Sequence, residues 1–477
     1  MSRVELLGRG RAFAHELIEN VGRDAPNTKL RVPSDRTRMN EPTPQDPRNP
    51  LEILRKLQLT VADVHAHVID PPQVRDSRVV VDSPTSRYPT RSGLSQIFSI
   101  LYMLNTDKLA KALHNLLSPC LMGYALELRS YGKTVFHEQW HFAKSYQDGP
   151  NGWDFDTPMH LASTSKLITA MAMTQLLRDH KISFDDRIEP WLPQYWRRGG
   201  NIQNLTFRHL LAHTSGLFAA KKNDPGPFDY QSMKDAISLG TTDLATYDYK
   251  NVNYTLCRVL LATINGDAYP SMLVTASSDP FLAPLFPLRD SVWDTISIRA
   301  YSQYVNDNIF APSGVAARDF NHPDDAALAY FTAADNNPGW NSGDKQSGSG
   351  AIGWHLTVNE LLRAMATYRR RGTIVAAWRA QRMLEDGIGL DFDFRRDTRL
   401  GTLYAKGGWW RSDEGKVEQS NAFFLPRGME LVVLANSPLC HPDTNFMGNV
   451  SDAINDSIEL WIASIASNVL GRIEAGG

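Results

Sequence analysis

Apolar residues recur along this chain in two rhythms, one near 3.6 and one of two residues. Leu51, Leu54, Leu57, Val61, Val64 and Val68 fall three to four apart and predict a helix over residues 51–69. Residues 1–22 fit a helix as well. The stretch between them holds Pro26, Pro33, Pro42, Pro44, Pro47 and Pro50 among polar residues, so Asp24–Pro50 reads as a linker or an arm over the surface. Residues 75–89 are loop-like in composition, and Leu94–Leu117 is strongly apolar and helix-like. The segment Gly123–Glu138 alternates about Tyr131-Gly132-Lys133, a hairpin pattern. Further helices are expected from near Ser163, over Asn253–Thr263 up to Asn265-Gly266, and over Thr357–Tyr368, where Thr357 and Glu360 stand as a capping box. Leu403–Lys406, Asn421–Leu425 and Met429–Asn436 read as three successive strands, and Val450–Arg472 as an amphipathic helix.

Strands at both ends with helices between them predict an α+β protein. Its antiparallel sheet is flanked by helices as an α/β sandwich, and an all-helical subdomain is set beside it. The expected division is an N-terminal extension over 1–90 and a main domain over 91–477. Within that domain the sheet takes about 91–160 and 395–477, and the helical region about 161–394. No internal repeat is present.

With 42% hydrophobic and 21% charged residues, the 477-residue chain can bury a sizeable core. A formal net charge of −2 gives no reason to expect nucleic acid or an anionic membrane as a partner. Cys120, Cys257 and Cys440 are odd in number and far apart, which argues against a disulfide framework and against a zinc site. Arg3, Glu5, Arg9, Arg11 and Glu16 interrupt the first apolar stretch, so no secretory signal is read there. No apolar run approaches the ~20 residues of a membrane span. A soluble, cytoplasmic location is the expectation.

The candidate chemistry lies in MHLASTSKLITAMAMTQLL. A serine hydroxyl is a weak nucleophile until a base takes its proton, and a lysine serves as base only when partly deprotonated. Ser163 and Lys166, three apart on a helix, share one face. The apolar residues that follow would desolvate Lys166 and lower its pKa. Ser163 in the first turn would also offer its N–H to a developing oxyanion. Alone, two fixed residues in four are a chance-level match, and an N-capping serine with a surface lysine is the simpler account.

Five landmarks in order change that balance: DTPMHLASTSKLITA; FDDRIEPWLPQY with LTFRHLLAHTSGL; YKNVNYTL; GSGAIGWHLTVNELLRAM; and LYAKGGWW with AFFLPRGMELVVLANS. Over roughly residues 105–470 the chain resembles the β-lactamase-related serine hydrolases, which include class C β-lactamases, D-alanyl-D-alanine carboxypeptidases and family VIII esterases. The resemblance implies a β-lactamase/transpeptidase-like fold and Ser163 as the nucleophile, with Lys166 and Tyr249 handling the proton, Tyr249 as phenolate or relay. It implies that Asn251 donates to the acyl side of the substrate. Lys406, Gly407 and Gly408 match the third motif. Lys406 would lend positive charge, and Trp409 N–H would complete the oxyanion hole. Gly407 departs from the threonine of relatives and removes a hydroxyl that β-lactamases turn toward a substrate carboxylate. Tyr247 is a rival to Tyr249, but only Tyr249 places Asn251 in register. His213 belongs to a structural turn, and His65 and His67, two apart, do not share a helix face. Trp409 and Trp410 either wall an acyl pocket or pack beneath the sheet.

The implied function is hydrolysis of a small-molecule ester or amide through an acyl-enzyme on Ser163, with no metal and no cofactor. An acyltransferase of a biosynthetic pathway, using the same intermediate, is the alternative. A β-lactamase or D,D-carboxypeptidase is a weaker reading, and a binding protein with a dead site weaker still. Asp267–Ile298, rich in Pro, Phe, Leu and Trp, is a candidate lid. Oligomeric state and the role of the N-terminal arm stay open.

Overall fold

The computed structural model describes residues 102–217, 226–274, 288–393, 395–440 and 445–460. The helices expected over 1–22 and 51–69, the proline-rich arm, and His65 and His67 lie outside these residues. So does the middle of the candidate lid.

The elements run β1 (Tyr102–Leu104), α1 (Thr106–Leu117), β2 (Gly123–Ser130), β3 (Lys133–Lys144), β4 (Asn151–Gly152), β5 (Met159–His160), α2 (Ser165–Asp179), α3 (Phe207–Leu211), α4 (Tyr230–Leu239) and α5 (Val252–Asn265). They continue with α6 (Arg289–Val305), β6 (His355–Leu356), α7 (Val358–Ala366), α8 (Ala377–Glu385), β7 (Arg395–Thr398), β8 (Gly401–Arg411), β9 (Val417–Leu425), β10 (Met429–Ala435), α9 (Phe446–Asp456) and β11 (Ile458–Leu460). The main sheet is antiparallel, in the order β4-β3-β2-β10-β9-β8-β7. The early hairpin therefore meets the late strands at β2–β10, where Val433 pairs with Leu126. The expected α+β architecture is what forms.

Why the late strands read as nearly unbroken apolar runs is visible in their packing. Along β10, Leu431, Val433 and Ala435 enter one core cluster with Leu109 and Leu113 of α1 and Val450 of α9. Val432 and Leu434, pointing the opposite way, enter the other cluster with α2, α5 and α7. Strand β9 splits the same way, Phe423 and Leu425 against Ala422 and Phe424. Both faces are covered, so alternation of polar and apolar residues disappears from the sequence. Helix α7 opens with the expected capping box: Thr357 Oγ1 accepts from Glu360 N (3.1 Å) and Glu360 Oε2 from Thr357 N (3.0 Å).

Three expectations need correction. Within the described part of the apolar segment ending at Leu117, the helix starts at Thr106, because Tyr102–Leu104 pairs as a strand with Ile458–Leu460; residues 94–101 lie outside the described residues. Correspondingly, the last helix among the described residues starts at Phe446 and stops at Asp456, where the chain turns so that Asn105 N donates to Ser457 O (2.8 Å); residues 461–472 of the expected helix lie outside the described residues. Cys120 and Cys440, read as unpaired, form a disulfide across 320 residues with their Cα atoms 4.9 Å apart. Cys120 lies just before β2 and Cys440 just after β10, and the antiparallel pairing of those strands brings the two ends together. Among the described residues, no helix is long and apolar enough to cross a membrane.

A disulfide closing so long a loop should contribute about 2–5 kcal/mol to stability. A reductant should lower the melting temperature of the native chain and leave a Cys120→Ser/Cys440→Ser variant unaffected. Equal melting of both proteins with and without reductant would show that the bond contributes nothing.

Candidate active site

Ser163 lies in a short 3-10 turn, Ala162–Thr164, that leads into α2. Ala162 holds a φ of 46°, a left-handed conformation that costs a residue with a side chain of order 1–3 kcal/mol and persists only where its surroundings over-determine it. Those surroundings are specific. Leu161 N donates to Trp354 O (2.8 Å), and Ser420 Oγ donates to Leu161 O (2.6 Å) and contacts Thr164 Oγ1 (2.8 Å). Strand β5 pairs with β6, and His160 Nδ1 meets Glu418 Oε2 at 2.8 Å in a wholly buried pair. Burial pushes Glu418 up to about 8 and His160 well down, so both are held toward neutrality. Gly408 of β8 touches the same turn, and a Cβ there would overlap Leu161 O, Ser420 Oγ and Thr164 N. The turn that carries Ser163 is clamped between β6, β8 and β9.

Helix α2 is buried on every side from Ser165 to Leu177. Lys166 therefore has no route to solvent, and its Nζ is surrounded by Asn251 Oδ1 (2.8 Å), Ala351 O (3.0 Å) and Ser163 Oγ (3.1 Å). Burial drives its pKa well below the ordinary lysine value; Lys406 adds to the fall and Asp391 opposes it. Asn251 stands at the N-terminus of α5, while Ala351 comes from the glycine-rich turn before β6. Gly350 in that turn has φ 96°, and a Cβ there would collide with Tyr254 O on α5. The glycine thus lets the turn close on Lys166.

Tyr249 O–H donates to Ser163 Oγ at 2.7 Å. Burial, reinforced by the Asp391 carboxylate, holds its pKa well above the ordinary value, against the pull of its bond to Ser163. That direction favours the phenol over the phenolate. Its ring stacks on buried His213 with centroids 4.3 Å apart. His213 Nδ1 in turn accepts from Lys250 N (3.2 Å) and lies 3.1 Å from Asn253 Nδ2. His213 thus supports Tyr249, and Tyr247, which meets the same imidazole edge-on (5.8 Å), also packs on Phe392 (5.1 Å).

Lys406 is taken up differently from expectation. Its Nζ lies 2.6 Å from Asp391 Oδ1 and 2.7 Å from Gly407 O, and the other Asp391 oxygen accepts from Gly407 N (2.6 Å). Ser163, Tyr249, Asn251, Lys406, Gly407, Gly408 and Trp409 all line one cavity of about 630 Å³, closed on another side by Leu439 and Phe446. The two tryptophans divide the roles left open by the sequence. Trp409 is 55% exposed at the cavity, whereas Trp410 also sets its edge against buried His160 (6.0 Å). Among the described residues, no group of three or more His, Cys, Asp or Glu side chains is placed to hold a metal ion.

All eight residues singled out from the sequence come together around this cavity, Lys166 behind its wall. Asn251 differs in its partner: its Oδ1 faces Lys166, and its Nδ2 lies 3.4 Å from Gly226 O. Sequence reasoning missed Asp391, Ala351 and the His160–Glu418 pair. Ala351 acts through a carbonyl that every residue has, and Asp391 sits in GLDFDF, which carries no recognisable motif.

Residues 123–280 match the Beta-lactamase family model, a span that includes Ser163, Lys166, Tyr249 and Asn251. Penicillin-binding protein 4* of Bacillus subtilis is 26% identical over 160 residues, 30% of this chain and 33% of that protein. Esterase EstB of Burkholderia gladioli is 34% identical over 92 residues, 19% of this chain and 24% of the esterase. The chain thus matches a third or less of the length of these curated relatives. A class C β-lactamase from Rhodobacter sphaeroides shares the fold at 16% identity and a TM-score of 0.50, over 76% of this chain and 99% of that one. A D-stereospecific amidohydrolase from Streptomyces sp. does so at the same identity and score, over 73% and 98%. The match over residues 123–280, together with the shared fold, supports the resemblance to the β-lactamase-related serine hydrolases.

Proposed function

We propose that the protein hydrolyses an ester or amide through a covalent acyl-enzyme on Ser163. One observation carries the reading: Ser163 Oγ lies between Tyr249 O–H (2.7 Å) and Lys166 Nζ (3.1 Å), in a site whose burial pushes the lysine pKa down and the tyrosine pKa up, each toward its neutral form. A neutral amine has two N–H groups, which Asn251 Oδ1 and Ala351 O accept. Its lone pair is then left facing the serine hydroxyl.

The steps follow from that geometry. Lys166 takes the Ser163 proton as Oγ attacks the carbonyl carbon, and the carbonyl oxygen becomes an oxyanion. The N–H groups of Ser163 and Trp409 are the donors assigned to it. Collapse breaks the bond to the leaving alcohol or amine. Tyr249 gives that group its proton and is reprotonated from Lys166, so the charge on the site returns to its starting value. Water then enters, gives a proton to the same pair and attacks the acyl carbon; the bond to Ser163 Oγ breaks, the pair returns the proton to Oγ, and the acyl group leaves as a free acid. An alcohol or amine replacing water at this last step would make the enzyme an acyltransferase with an unchanged site. Disulfides persist in oxidising surroundings, so Cys120–Cys440 speaks for such a compartment over the cytoplasmic one expected from the sequence.

A fluorophosphonate probe should label the native protein and leave Ser163→Ala unlabelled; equal labelling of the two would sink the nucleophile assignment. With p-nitrophenyl esters, free acid should remain the sole product when alcohols or amines are added, and a transfer product would establish the transferase reading instead.

The pH profile tests the base. Lys166 works only when neutral, so kcat/KM should fall as pH drops through its depressed pKa and be near its plateau well below pH 10.5. Tyr249, raised well above 10.0, should add no descending limb near that pH. Lys166→Arg, permanently charged, should lower kcat/KM about 10²–10⁴-fold. A near-native rate in that variant would exclude Lys166 as the base.

A further inference from the structure

Within the proposed hydrolase reading, on which this inference rests, the cavity beside Ser163 has an unusual distribution of charge. The Lys406 side chain is 1% exposed, and its ammonium is held by Asp391 Oδ1 and Gly407 O. Asp391 is 20% exposed and lines the cavity. The charge a ligand meets at this end is therefore the carboxylate. Exposed Asp393 adds a second negative group on the same wall, while the lining cation outside this pair, Arg411, stands at the far end of β8.

Asp391 also has capacity to spare. Each carboxylate oxygen accepts one hydrogen bond, from Lys406 or from Gly407 N, whereas an ionised carboxylate can accept about four. Across Gly407 stands Asn421, 2% exposed, whose Nδ2 has no hydrogen-bond partner among the described residues. A buried donor left unspent beside an under-used acceptor marks a place where polar partners are missing. Gly407 is part of the same arrangement: a Cβ at that position would lie 3.3 Å from Asp391 Oδ2 and 3.2 Å from Asn421 Oδ1. A larger residue would crowd both groups away from the cavity.

We propose that Asp391 is a specificity-determining residue that selects substrates carrying a cationic amine on the side that meets Lys406, and disfavours those carrying a carboxylate there. A carboxylate in that position would face Asp391 directly, with the neutralising ammonium behind it and inaccessible. An ammonium would gain a charge-assisted hydrogen bond to an oxygen already oriented by Lys406 and Gly407 N.

The test uses two sets of p-nitrophenyl-type esters, one varied on the acyl side and one on the alcohol side. Each set comprises an ammonium-bearing, a neutral and a carboxylate-bearing member of matched shape. In the native protein, kcat/KM in at least one set should fall from ammonium to neutral to carboxylate, by about tenfold per step at low salt. Asp391→Glu should retain the order, and Asp391→Asn should bring the ammonium ester to within about twofold of the neutral one. If the Asn variant turns over too slowly, inhibition constants of matched alkylammonium and alkylcarboxylate ions replace the rates and should show the same loss. A native preference for the carboxylate, no charge preference, or a preference unchanged in Asp391→Asn would overturn the proposal. Failure of the native protein to cleave any neutral ester, together with no labelling of Ser163, would instead overturn the hydrolase reading beneath it.

Discussion

The site depends on a lysine amine that cannot reach water. Helix α2 is packed on all sides, so Lys166 must either carry its charge into an apolar core or give it up. Desolvating an ammonium costs several kcal/mol even after relaxation, more than most single contacts return, so the neutral form is preferred. Much of the nearby architecture then reads as support for that one group. Helix α5 starts at Asn251 so that an amide oxygen faces Nζ. The glycine-rich turn closes over α5 at Gly350, where a Cβ would not fit, and thereby delivers Ala351 O.

A second consequence is that the charges of the site form a chain. Lys406 pushes the Lys166 pKa further down, and Asp391 partly restores it while pushing Tyr249 up. Without Asp391, Lys406 would be an uncompensated buried cation only one ring away from the base, 5.6 Å from the centre of Tyr249. The carboxylate therefore has two effects at once. It stabilises a buried ammonium, and it adds to the burial that raises the Tyr249 pKa.

Much of this was legible in the chain. The period-two hairpin over Gly123–Glu138, the capping box at Thr357 and the three late strands form where hydrophobic spacing and turn chemistry place them, because each is decided by neighbours close in sequence. The Ser163, Lys166, Tyr249 and Lys406 constellation was legible through resemblance, not through local pattern. What stayed hidden is decided at long range. Pairing of β2 with β10 joins Cys120 to Cys440, and pairing of β1 with β11 turns an apparently helical end into a strand. Asp391 belongs to the same class, since no spacing rule connects it to a lysine 15 residues on. The His160–Glu418 pair is likewise formed only once β5 has been laid beside β9.

Gly407 shows how reading one position in isolation can mislead. In the sequence it is a loss, the absence of a hydroxyl that relatives use. In the structure its small size is what allows Asp391 to reach both Lys406 and Gly407 N, with Asn421 across from it. The motif's lysine is thereby paired with a carboxylate that lines the cavity. Adding back a threonine at 407 would not by itself restore a carboxylate-binding motif, because its Cβ would press on Asp391 Oδ2 (3.3 Å) and Asn421 Oδ1 (3.2 Å) while the carboxylate stays on the cavity wall. The two positions are coupled through that contact, and the reading of either depends on the other.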